Sequence, residues 1–114
     1  MRLLTRGTGG EPADGSSEAP SISADGRYVA FSSSARNLAA QDPGPKWSVF
    51  VQDTQTGVTA LVSRSAEPAN GHSRGARISG NGGFIAFQSE ADNLVAGDDN
   101  GVSDVFVVKN PLSP

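Results

Sequence analysis

The 114-residue sequence predicts an all-β fold built from a duplicated antiparallel unit. Three observations carry that prediction. The chain repeats itself: residues 11–54 align without gaps on residues 67–110, an offset of 56, and 19 of the 44 positions are identical. Typical residue frequencies give about three. The dipeptides Asp25-Gly26 and Asn81-Gly82 stand at matching points of the two copies. Such pairs favour two-residue hairpin turns, in which both central residues take positive φ. No window sustains a 3.6-residue apolar period, so no helix is expected beyond a short turn near residues 91–95.

The elements follow in order. Leu3-Leu4-Thr5-Arg6 matches Leu61-Val62-Ser63-Arg64 after a two-residue length difference, and reads as a displaced outer strand. A short Ile22-Ser23 strand enters the first turn and Tyr28-Val29-Ala30-Phe31 leaves it. Val49-Phe50-Val51 is the third strand, Thr54-Gln55-Thr56-Gly57 a turn, and residues 58–63 the fourth strand. The second copy repeats the first three strands through Ile78-Ser79, Phe84-Ile85-Ala86-Phe87 and Val105-Phe106-Val107. The chain is thus expected to be one two-unit domain. Residues 1–10 form an outer strand and loop, 11–66 the first repeat, and 67–114 a second repeat lacking its fourth strand.

Composition fits this reading. Gly 14, Pro 7 and fifteen serines supply turns and loops, while hydrophobic residues are only 36%. Charged residues are 18% and the net charge is −3. That mild acidity, with scattered basic residues, argues against nucleic-acid binding. The absence of cysteine excludes disulfides, zinc ribbons and thiol catalysis. No apolar run approaches the length of a membrane span, and residues 1–6 break off before a signal-peptide core. The compartment stays open, with no export signal expected.

The run Ser23-Ala24-Asp25-Gly26-Arg27-Tyr28-Val29-Ala30-Phe31, followed by Val49-Phe50-Val51-Gln52-Asp53, Thr56-Gly57 and Leu61-Val62-Ser63, resembles the blade motif of TolB-like, WD40-like β-propellers. The second copy departs from the motif at Asn81 and at Lys109-Asn110. The resemblance implies four-stranded blades, with the chain reading D, ABCD, ABC from its start. It fixes a fold and no activity. Two blades cannot close a ring, since propellers have roughly four to eight. A cyclic homo-oligomer is therefore expected, in which the N-terminal strand of each subunit completes a neighbour's last blade. A trimer with six blades is favoured, and a tetramer with eight is the alternative. A fragment of a longer propeller is the competing explanation.

Candidate site residues lie in the long segments, residues 65–76 and 89–103 and their first-copy equivalents, which the propeller resemblance places on one face. Trp47 is the only tryptophan and replaces Ser103 of the sister copy. It is a candidate for stacking on a sugar or anchoring an interface, or else packs on its own Pro-rich loop. His72 and Arg74 share a polar loop segment, with Arg77 nearby on the inner strand. In a ring these arginines would recur once per subunit as an anion-attracting spot. Asp98, Asn100 and Asp104 stand at spacing 1, 3 and 7 around Gly101, a pattern of oxygens that suits Ca²⁺. The other reading is an Asx-turn loop, because a position-12 glutamate and flanking helices are missing. Ca²⁺ is the only cofactor considered, and no catalytic residue is assigned. The primary expectation is a non-catalytic scaffold that binds a protein or small ligand. A lectin-like propeller is the alternative. A glycoside hydrolase using carboxylates such as Asp98, Asp99 and Asp104 is the second alternative.

Overall fold

The computed structural model describes residue 15 and residues 17–39, 46–64, 71–90 and 104–113. Seven strands form two antiparallel sheets. The first has the order β1 (Ser17–Ile22), β2 (Tyr28–Ser33), β3 (Ser48–Asp53), β4 (Thr59–Leu61). The second is β5 (Ser73–Ile78), β6 (Phe84–Ser89), β7 (Asp104–Lys109). No helix occurs among the described residues, and none is long and apolar enough to cross a membrane. Strands β1–β3 and β5–β7 begin and end 56 residues apart, so the sequence repeat is a structural one.

All six residues of β2 and all six of β3 are buried, because both faces of the first sheet are covered. Tyr28, Ala30, Val49, Val51, Ala60 and Val62 pack on the second sheet. On the other face, Val29, Phe31, Phe50 and Leu61 lie under Ala35, Leu38 and Ala39 of the segment after β2. The second sheet alternates instead. Ala76, Ile85 and Phe87 join the junction core, with Ile78, Phe106 and Val108 packed against it. Phe84, Val105 and Val107 on its other face are exposed at 54%, 75% and 66%. The cross-strand pairs Phe31–Phe50 and Phe87–Phe106 stack alike, each with ring centroids 5.8 Å apart.

The first strand of each sheet carries one bulge, between Glu18 and Ser21 in β1 and between Arg74 and Arg77 in β5. The bulged residues Ala19 (φ 55°) and Gly75 (φ 71°) take the left-handed conformation. An extra residue at this point turns the strand by one position, so Arg74 and Arg77 pair with Gln88 and Ala86 on the same face of β6.

Two local expectations are corrected. The hairpin turns are not two-residue loops with both residues at positive φ. Only Gly26 (φ 75°) and Gly82 (φ 76°) are left-handed there, and their N–H groups donate to the carbonyls of Ser23 and Ser79. The loop is a type I-like turn followed by a left-handed glycine. The fourth strand is Thr59–Leu61 rather than residues 58–63. The ladder stops there because the N–H groups of Val62 and Ser63 both converge on the Val49 carbonyl, while Ser63 Oγ accepts the Val49 N–H. The expected outer strand in residues 1–10, the turn near residues 91–95, and Asp98 and Asn100 lie outside the described residues.

Candidate functional site

The two sheets are joined at one end through Trp47. Its N–H donates to His72 Nδ1 at 3.0 Å, and its carbonyl accepts the Ser73 N–H at 2.8 Å. The His72 carbonyl in turn accepts the Glu90 N–H at 3.0 Å. The residue just before β3 is thereby clasped to the entry of β5, and that entry to the exit of β6. Below it, Ser73 Oγ donates to Ser89 Oγ at 2.8 Å inside the protein. With Nδ1 accepting the Trp47 backbone N–H, the ring nitrogen that can donate to another group is Nε2.

Arg74, first on the exposed face of β5, brings its guanidinium carbon to 6.0 Å from the centre of the Trp47 ring. That is the outer range of a cation–π contact. Trp47 is half-buried and Arg74 exposed, so the indole and the guanidinium are presented together. Three of the four expected ligand-binding residues are therefore linked through Trp47, His72 to its backbone and Arg74 to its ring. They come from different repeats, and no single segment of sequence spells their proximity.

Arg77 does not join them. It lies one bulge further along β5, exposed, on the same face as Ala86 and the apolar Phe84, Val105 and Val107. Of the residues considered for Ca²⁺, Asp104 opens β7 opposite Ser89 and is half-buried. Among the described residues, no group of three His, Asp or Glu side chains could hold a metal ion.

One ionic feature was not singled out by the sequence. Arg27 at the start of β2 donates from Nη2 to Asp53 at 3.0 Å, and from Nε to both carboxylate oxygens at 3.3 Å. The Arg27 hydrogen bonds hold the Asp53 carboxyl below its ordinary value, with help from the Gln55 N–H. Asp53 raises the pKa of Arg27 in turn. The pair ties the ends of adjacent strands and closes the following turn, so it is structural. The second repeat has Gly83 and Lys109 at these positions, which is the signal that the pair is not part of the repeated plan.

Comparison with known proteins finds no matching family model, no matching curated protein and no matching solved structure.

Proposed function

We propose that this chain is a non-catalytic binding module made of β-propeller-type blades, which presents Trp47, His72 and Arg74 as its ligand contact. The observation that carries the reading is the Arg74 guanidinium beside the Trp47 indole, with the His72 imidazole bonded to the backbone N–H of the same tryptophan, where the two sheets meet. A partly exposed indole face offers apolar stacking area, while an arginine fork and an imidazole Nε2–H offer donors to oxygen. Backbone hydrogen bonds on both sides of Trp47 hold the stacking platform in place before a ligand arrives, which lowers the ordering cost of binding. In this reading three chains supply the six blades of a closed ring, and each ring carries the site three times.

The same chemistry favours a second, narrower reading, in which the ligand is a saccharide. A pyranose combines an apolar face with hydroxyl acceptors, and repeated weak sites on a ring would gain through multivalency. A glycan array probed with the purified protein tests it. The expected result is binding to a subset of glycans, weakened about tenfold or more in Trp47→Ala, a loss equivalent to about 1.4 kcal/mol. An array without a binder removes the saccharide reading. Unchanged binding in Trp47→Ala moves the site elsewhere.

A further inference from the structure

We infer that a second copy of this chain docks its strand β1 onto the exposed face of the second sheet, using the apolar β1-type contacts of the junction already present within one chain. The inference rests on the proposed blade stacking and adds the surfaces that make it.

The internal junction supplies the template. Strand β5 lies across the first sheet with Ala76 and Ile78 turned into the core formed by Tyr28, Val49 and Val51. Its Ile78 N–H donates to Ser21 Oγ at 3.1 Å, and the turn before β2 donates from the Ala24 N–H to the Gly80 carbonyl at 2.9 Å. Part of each side has an image 56 residues away that is exposed among the described residues. The images of Ile85, Phe87 and Phe106, which are Val29, Phe31 and Phe50, are already covered by Ala35, Leu38 and Ala39, and Arg77 stands in place of Ser21. On the receiving side, Phe84, Val105 and Val107 are the images of Tyr28, Val49 and Val51. They stand exposed at 54%, 75% and 66%, whereas Val49 and Val51 are fully buried. On the inserting side, Pro20 and Ile22 of β1 are the images of Ala76 and Ile78. Both are exposed, Ile22 at 61%, whereas Ala76 is fully buried.

One molecule thus displays a socket at one end and the matching plug at the other. The two surfaces differ, so they cannot satisfy each other about a two-fold axis. The contact is head-to-tail, and it closes into a ring when the rotation between copies divides a full turn. Exposed apolar surface of this kind on a regular sheet face marks an interaction site. The placement also leaves the ligand contact open. Arg74 is the image of Glu18, which stays exposed beside the internal junction, so Arg74 would remain at the rim of the new one.

Sedimentation equilibrium of the full chain and two variants tests this. The wild type is expected at three or four times the 11.7 kDa of one chain. The double variant Val105→Glu, Val107→Glu spoils the socket, and Ile22→Glu spoils the plug. Each is expected to sediment as one chain with an unchanged far-ultraviolet circular dichroism spectrum. Mixed, the two variants retain one good socket and one good plug between them and are expected to form a 1:1 dimer. A wild-type mass of one chain overturns the inference, as does an oligomer indifferent to the socket variant. An oligomer broken by the socket variant but not by Ile22→Glu also overturns it, in favour of two sockets meeting face to face. Loss of glycan binding with the ring mass intact would instead fail the saccharide reading alone.

Discussion

Ala19 sits at φ 55°, where a Cβ crowds the backbone, and its counterpart in the second repeat is Gly75 at φ 71°. A left-handed alanine costs about 1–2 kcal/mol, and the added freedom of glycine in the unfolded chain returns about half of that. Ala19→Gly is therefore expected to stabilise the fold by about 0.5–1 kcal/mol, read as a higher urea midpoint at unchanged slope. The sign of a pH effect is equally local. Asp53 has its pKa lowered by Arg27, so the pair's contribution is fully present above the ordinary aspartate value of 3.8. It is lost as the pH falls through the lowered value. Thermal unfolding from pH 7 downward should show Asp53→Asn less stable than wild type at neutral pH, with the gap closing under acid. A gap that persists would assign the effect to packing. None of these three residues was legible as special. Alanine reads as neutral in a strand, and Arg27 and Asp53 are 26 positions apart in a chain with other acids and bases.

At the scale of the element, the hairpin turns explain why the repeat is written as Ser-X-Asp/Asn-Gly. Ser23 Oγ donates to Asp25 and accepts the Tyr28 N–H, while Asp25 accepts the Arg27 N–H. Ser79, Asn81, Gly83 and Phe84 make the same network, so Asn81 substitutes for aspartate without loss. The end of the third strand behaves alike. Thr54 closes on the carbonyls of Gly26 and Arg27, and buried Asn110 closes on those of Gly82 and Gly83. Asn110 in place of Thr54 thus preserves the clamp with different atoms. The two turn glycines have nearly the same φ and different surroundings. A Cβ on Gly26 meets nothing within 4 Å, whereas one on Gly82 would lie 2.6 Å from the Tyr28 ring. Gly26→Ala should cost about 1 kcal/mol of backbone strain. Gly82→Ala should cost at least about 1 kcal/mol more, since the Tyr28 ring must also move. Equal losses in denaturant unfolding would show that the junction yields at no cost. The strand positions and these turn residues were legible, because alternation and turn chemistry are local. The type of turn was not, because Asp-Gly serves two-residue and four-residue loops alike.

For the whole molecule, the junction between the sheets decides both the candidate site and the assembly surface. Trp47 reaches His72 and Arg74 only because β5 crosses the first sheet, and that crossing brings residues 25 positions apart into hydrogen-bond contact. The sequence nominated Trp47 from rarity and His72 with Arg74 from loop position, and had no means of joining the first to the other two. By itself it determined the duplicated unit, the three repeated strands and the residues that close each turn, all of them consequences of short-range pattern. It could not say which face of each unit is covered. The triplet Val-Phe-Val occurs at 49–51 and again at 105–107. In the first copy both valines are fully buried, and in the second they stand 75% and 66% exposed. Identical residues in identical strands differ because, among the described residues, one sheet has a neighbour on that face and the other does not. That is a property of tertiary placement, which no local pattern encodes.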